Sequence, residues 1–301
     1  EALKCFNRMQ DEGVSPHVAT FVCSIKACGT MGVISEGQKI HSEVIARGYE
    51  DEIFVGNTVV DMYTKCGSLA EAQIVFDNFP VQDEVAWNAL MTGDAGNGLG
   101  DDALEYYRRM QEEKVSPDAV TFSCILKVCG IVGALTIGED IDAKVRKQGL
   151  LQKDIVLGNA LVDMYSKCGA LEKARAVLEQ LPVRNVVTWN ALITGYTQNK
   201  LGHEALKCFQ EMQNTGVCPN AVTYACILKA CSIIGCLDIG EDIDAEVRKQ
   251  GLLHKDIVLG TALVDMYAKC GALEKARNVF EHLPVQNVVS WNVLIAGYAE
   301  H

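Results

Sequence analysis

"VDMYTKCGSLAEA", residues 60–72, returns as "VDMYSKCGALEKA" at 162–174 and as "VDMYAKCGALEKA" at 264–276, each copy 102 positions after the one before. A stretch written three times at a fixed interval marks an internal repeat, and a repeat must be settled before other features of the fold are read. The three tryptophans keep the same interval: Trp87, Trp189 and Trp291 stand in "VAWNALMTG", "VTWNALITG" and "VSWNVLIAG". A third set is "ATFVCSIKACG" from Ala19, "VTFSCILKVCG" from Val120 and "VTYACILKACS" from Val222. Each period therefore holds three different sub-units.

Cut at equivalent places, the period divides into lengths of 36 (119–154), 31 (155–185) and 35 (186–220) residues. Earlier copies run 18–52, 53–83 and 84–118, and later ones 221–256 and 257–287. Residues 1–17 resemble the second half of a 35-residue unit, and residues 288–301 its first half. Within 186–220, Trp189, Leu192, Ile193 and Tyr196 fall at i, i+3, i+4 and i+7; a second stripe runs Ala205, Leu206, Phe209 and Met212 before Gly216. That spacing predicts helix, turn, helix. Neither helix can bury its stripe alone, so neighbouring pairs must stack. The expected fold is all-α, a right-handed α-solenoid of helix-turn-helix repeats over 1–301.

Composition narrows the function. With 49% hydrophobic residues in 301, the chain can supply a long core. No apolar run approaches a membrane span, and "EALKCFNRMQ" lacks an initiator Met and a signal-like segment, so the sequence reads as soluble and as a piece of something longer. A net charge of −12 argues against a surface that is basic all over. Thirteen Cys, an odd number, fit a reducing compartment better than a disulfide framework.

Cys66, Cys168 and Cys270 each precede a Gly able to end a helix. The pairs Cys23/Cys28, Cys124/Cys129 and Cys226/Cys231 are five apart, not a chelating spacing, and no C-x2-C occurs. They read as small buried hydrophobes. "GHEAL" at His203 and Glu204 lacks the H-x-E and P-C-x-x-C of a zinc deaminase, and no P-loop, GxSxG or HExxH is present. The chain is expected to be no enzyme and to need no metal or cofactor.

Units of 35, 36 and 31 residues in fixed order, carrying "VVTWNALITGYTQN", "AVTYACILKACSIIGCLDIGEDIDAEV" and "GNALVDMYSKCGALEKARAVLEQLPVRN", resemble the P, L and S motifs of plant pentatricopeptide repeat proteins of the PLS subclass. The resemblance covers essentially the whole chain. It implies binding of single-stranded RNA in chloroplasts or mitochondria, as the recognition part of a C-to-U editing specificity factor whose deaminase, where present, is a separate domain. It also implies one base per repeat, read by the fifth and last residues of each unit in parallel orientation. On that basis Asn57 with Asp83, and Asn88 with Asp118, resemble the uracil combination. Asn159 with Asn185, and Asn190 with Asn220, resemble the pyrimidine pairing with cytosine favoured; Thr261 with Asn287 is similar to the adenine pairing. Val22, Ser123 and Ala225 hold the fifth position of the L units, whose bases stay open. The implied target is 5′-n-U-U-n-Y-Y-n-A-3′.

The resemblance also implies that the second residue of a unit wedges between bases. Val85, Val120, Val156, Val187, Val222, Val258 and Val289 fit, while Ala19 and Phe54 depart; ordinary core valines are the alternative. Lys26, Lys127 and Lys229 lie four residues after the fifth position, and Lys65, Lys167 and Lys269 end the first helix of the S units, places for phosphate contact. Against the second set, Asp61, Asp163 and Asp265 precede them by four and can pair with them.

Acidic runs such as "GEDIDA" are expected on the convex side. Through their L motifs, members of the family contact multiple organellar RNA editing factors, a possible partner here. The complementary half-repeats at the two ends permit end-to-end self-association. "GDAGNGLGDD" (93–102) lowers helix propensity in the unit that holds Asn88. The rival reading is a scaffold whose groove holds a peptide; such a groove has no reason to restrict the fifth and last residues of the P and S units to Asn, Asp and Thr.

Overall fold

A computed structural model describes residues 1–80, 82–253 and 255–300. Among the described residues there are helices, turns and no strand. Two compact units divide the chain, Glu1–Val145 and Arg146–His301. The first holds α1 (Ala2–Asp11), α2 (Val18–Met31), α3 (Ile34–Ala46), α4 (Ile53–Lys65), α5 (Leu69–Asp77), α6 (Glu84–Gly96), α7 (Gly100–Glu112), α8 (Ala119–Val132) and nearly all of α9 (Leu135–Lys147). The second holds α10 (Ile155–Lys167), α11 (Leu171–Gln180), α12 (Val186–Gln198), α13 (Gly202–Asn214), α14 (Ala221–Ile234), α15 (Leu237–Lys249), α16 (Ile257–Lys269), α17 (Leu273–Glu281) and α18 (Val288–Glu300).

Within each unit the even-numbered helices form one layer: α2, α4, α6 and α8 pack in succession, as do α10, α12, α14, α16 and α18. The odd-numbered helices form the other layer. Thus α5 lies on α4 and α6, and α13 on α12 and α14. This nearest-neighbour stacking is the helical-repeat solenoid that the amphipathic stripes require. Trp189, Leu192, Ile193 and Tyr196 are buried, as are Ala205, Leu206, Phe209 and Met212.

The thirteen-residue signature is the turn of the shortest hairpin. Gly67 is left-handed at φ 75°, its N–H bonds the Thr64 carbonyl, and the Ser68 N–H reaches back to the Tyr63 carbonyl at 2.9 Å. This closes α4 with two of its orphan carbonyls satisfied. Gly169 and Gly271, both at φ 76°, repeat it after α10 and α16, with Ala170 and Ala272 bonding back to Tyr165 and Tyr267. A residue with a Cβ would be strained at that φ, which fixes the Gly. The same hairpins approach the next one closely: a Cβ on Gly195 of α12 would stand 2.6 Å from Ser166 Cβ of α10.

Two expectations need correction. Cys23 is exposed rather than buried, although Cys28, Cys129 and Cys231 are in the core. The low-propensity stretch at 93–102 still forms its helix: α6 has the same 13 residues as α12, with Ala86, Trp87, Leu90 and Met91 buried. The acidic run "GEDIDA" is not all surface, since Asp244 is buried, accepts from the Tyr267 hydroxyl at 2.9 Å and pairs with Arg248 at 2.7 Å. Burial, and then this bond, raises the Tyr267 phenol above its ordinary pKa.

Candidate functional site

The residue just before an even-numbered helix needs an acceptor for free backbone N–H groups, so Asp or Asn is favoured there. Asp83 accepts from the N–H groups of Val85 and Ala86; Asp118, Asn185 and Asn220 accept from those of Thr121, Thr188 and Thr223. These four capping residues are also the last residues of their repeats. One side chain therefore starts a helix and faces the preceding repeat.

There it meets the fifth residue. Asn57 Nδ2 donates to both carboxylate oxygens of Asp83 at 3.0 Å, Asn88 Nδ2 donates to Asp118 Oδ1 at 3.2 Å, and Asn190 Nδ2 donates to Asn220 Oδ1 at 3.1 Å. Asn159 and Asn185 meet through a shared hydroxyl, that of Thr188, 2.5 Å from Asn159 Oδ1 and 3.0 Å from Asn185 Oδ1. Thr261 and Asn287 are not bonded to one another: the Thr261 hydroxyl donates to the Ile257 carbonyl, and Asn287 Oδ1 accepts from the Ser290 N–H. Burial works to raise the Asp118 carboxyl, but bonds from the Thr121 N–H and hydroxyl, the Asn88 amide and the Val120 N–H outweigh it and hold it below the usual carboxylate range. It is an anion at neutral pH.

The second-position valines are not core. Val85, Val120, Val156, Val187, Val222, Val258 and Val289 are between 52% and 69% exposed, and Phe54 is 77% exposed. They occupy the first turn of their helices and point away from the buried residues that follow within one or two positions, such as Trp87 after Val85 and Leu157 after Val156. In the first unit Phe54 and Val85 flank Asn57 and Asp83 in a cleft of about 430 Å³ that also takes in Lys26, Asp61 and Asn88.

The two sets of lysines part company. Lys65, Lys167 and Lys269 are ion-paired with Asp61, Asp163 and Asp265 at 2.6, 2.7 and 2.9 Å, so their charge is largely spent within the helix. Lys26, Lys127 and Lys229 are exposed and make no ion pair among the described residues. No group of three or more His, Cys, Asp or Glu among the described residues is arranged to hold a metal, and no described helix is long and apolar enough to cross a membrane.

The residues that sequence reasoning missed are Thr121, Thr188 and Thr223, all fully buried. Each hydroxyl lies within 2.7 Å of the Asn one repeat back. The signal was present as Asp or Asn followed three residues later by Thr, the spacing of a reciprocal helix cap.

Family models decide the identity of the repeats. The PPR repeat family matches at 82–130 and 184–232, and the PPR repeat at 159–186 and 261–288, together about half of the chain. The chain belongs to the pentatricopeptide repeat family. It is 38% identical over 304 residues to a chloroplastic pentatricopeptide repeat-containing protein of Arabidopsis thaliana, covering all of this chain and 48% of that protein. A mitochondrial one from the same plant is 34% identical over 301 residues, with 43% of its length covered. The chain thus spans about half the length of these relatives. Among solved structures, the pentatricopeptide repeat protein PPR10 in complex with an 18-nt psaJ RNA element superposes with a TM-score of 0.81 over 99% of this chain and 45% of that one, at 18% identity. PPR10 from maize gives a TM-score of 0.72 at 17% identity. That likeness fixes the helical-repeat fold.

Proposed function

We propose that this chain binds single-stranded RNA in a sequence-specific way, one base per repeat, as the recognition part of a PLS-subclass factor for C-to-U editing in chloroplasts or mitochondria. The observation that carries the reading is the dual use of the last residue. Because Oδ1 is committed to the helix cap, the atom left for a base is Oδ2 in Asp118 and Nδ2 in Asn185 and Asn220. A carboxylate oxygen accepts from uracil N3–H, whereas an amide N–H donates to the bare N3 of cytosine. Capping thereby turns Asp or Asn into a choice between the two pyrimidines. Thr261, shorter than Asn, leaves room beside Asn287 for a purine, consistent with adenine.

Exposed Val and Phe side chains on either side of each Asn give the base faces something apolar to rest on, and splayed single-stranded bases are what such a surface suits. Lys26, Lys127 and Lys229 are the cations most available for phosphate, since Lys65, Lys167 and Lys269 would first have to leave an exposed ion pair with Asp. With −12 overall, affinity is modest and falls steeply with salt, and a small editing-factor protein bound at the L repeats is the partner expected to raise it.

The test is fluorescence anisotropy with an RNA containing UUnYYnA against a scramble of equal composition, at about 50 and about 200 mM salt. The designed RNA is expected to win. Asn220→Asp, which keeps the helix cap, is expected to move the preference of its repeat from cytosine to uracil. Equal weak binding to both RNAs, unmoved by Asn220→Asp, would overturn the reading and leave a protein-binding scaffold.

A further inference from the structure

We infer that the third residue of the following helix is a specificity-determining positioning residue in this array: Thr121, Thr188 and Thr223 fix the amide of the Asn that reads the base in the repeat before. The inference rests on the RNA-reading proposal above and adds a third member to each reading pair. The Thr hydroxyls stand 2.7 Å from Asn88 Oδ1, 2.5 Å from Asn159 Oδ1 and 2.7 Å from Asn190 Oδ1. Each hydroxyl proton has a second acceptor in reach, the cap Oδ1 at 2.8 Å in Asp118 and 3.0 Å in Asn185 and Asn220, but the Asn oxygen is the nearer in all three and the cap already accepts from the Thr N–H. The Asn oxygens do need it, as no other donor among the described residues bonds them. Held in this way, the Asn88 amide spends its oxygen on Thr121 and one N–H on Asp118, and presents the remaining N–H to the groove.

The chain contains its own control. Asn57 with Asp83 is the same pair as Asn88 with Asp118, but the position matching Thr121 is Ala86. There Asn57 Oδ1 is buried and has no hydrogen-bond partner among the described residues. A buried carbonyl oxygen without a donor is costly, and it favours rotated amide states in which the oxygen meets water or the base. Two repeats with one nominal code are therefore unequal, and the Asn57 repeat discriminates less.

The experiment uses the full 301-residue chain with Thr121→Val, Thr121→Ser and Ala86→Thr, at a temperature below the melting of every variant. Val keeps the shape and burial of Thr; Ser keeps the hydroxyl. Affinities are measured for the UUnYYnA RNA and for RNAs with C replacing either U. Thr121→Val is expected to cut uracil-over-cytosine selectivity at its repeat about 3- to 10-fold, the worth of one hydrogen bond. Thr121→Ser is expected to retain it, and Ala86→Thr to raise selectivity at the Asn57 repeat toward that of the Asn88 repeat. Affinity falling equally for both RNAs in Thr121→Val, with selectivity intact, would reduce the Thr to a structural role and overturn the inference.

An RNA-free readout separates this from failure of the parent reading. In chain labelled with 15N-asparagine, the Asn88 side-chain amide protons are expected to exchange slowly with solvent in the parent and Thr121→Ser, and to exchange faster and move toward free-amide chemical shifts in Thr121→Val. If the parent chain prefers no RNA, the code reading fails. The amide spectra then still decide whether Thr121 holds Asn88, and unchanged spectra overturn it.

Discussion

Asp94 is the clearest point at which one repeat departs from its copies. The matching residues are Tyr196 and Tyr298. In α6, Asp94 is only 3% exposed, and burial, followed by the neighbouring Asp102, pushes its carboxyl up to about 6. The unfolded chain ionises this group near an ordinary value of about 3.9. The folded pKa is the higher one, so folding favours the protonated acid. Stability from this group is full below about pH 4, declines through the interval between 4 and 6, and is lost above it. Two pKa steps at about 1.4 kcal/mol each bound the loss at about 3 kcal/mol. Asp94→Asn removes the titration while keeping the shape. Urea unfolding followed by Trp87 fluorescence, with Trp189 and Trp291 replaced by Phe, reports on the first unit. The variant's stability gain over the parent is expected to be about 2 kcal/mol larger at pH 7.5 than at pH 4. Taking the difference cancels the other carboxylates. A gain that stays flat across that range would refute the claim that Asp94 is forced into the core ionised at neutral pH.

Two further perturbations test the packing. Where α6 carries Asp94, α7 carries Tyr106 in place of Cys208, and its phenol bonds Gln73, as Tyr196 bonds Arg175 at the matching place in the second unit. The ring fills the same space from the opposite helix. At pH 4, Asp94→Tyr alone is expected to cost about 1–3 kcal/mol by overpacking and Tyr106→Cys alone about 2–4 kcal/mol by leaving a void. The double variant should return to within about 1 kcal/mol of the parent, and additive losses in a thermal double-mutant cycle would show that the two sites do not share a space. Lys114 and Lys200 are left-handed at φ 60°, where the other copies have Gly216 and Gly98. Lys114→Gly and Lys200→Gly are each expected to gain about 0.5–1 kcal/mol in urea denaturation, the left-handed strain less the entropy of Gly, and a loss would mean that the Lys side chains are doing more than tolerating the turn.

The period, the hairpins and the Asp and Asn caps were legible because each answers to a strong local rule. A stripe of Trp189, Leu192, Ile193 and Tyr196 can only be one face of a helix, and a Gly that ends a helix at left-handed φ leaves no alternative residue without strain. The exposure of the second-position valines was not legible. Hydropathy is the same for Val187 at 55% exposure and Val162 at 0%; only the angular offset from the buried stripe separates them. Ion pairing of Lys65 with Asp61 was open for a related reason, since i,i+4 spacing permits the contact without choosing it over phosphate.

Hardest to read were interactions across a repeat junction. Cutting the sequence into units assigns Thr121 to one repeat and Asn88 to another, yet the 2.7 Å contact joins them. A repeat boundary drawn at helix starts falls in the middle of each candidate site. The structural unit is a hairpin, whereas the proposed base-reading unit is the start of the first helix of one hairpin together with the cap and first turn of the next. Altering a fifth residue or a last residue alone therefore leaves part of the site unchanged, and a recoded repeat should be judged by whether the Thr, Ser or Ala that follows its cap can satisfy the new side chain.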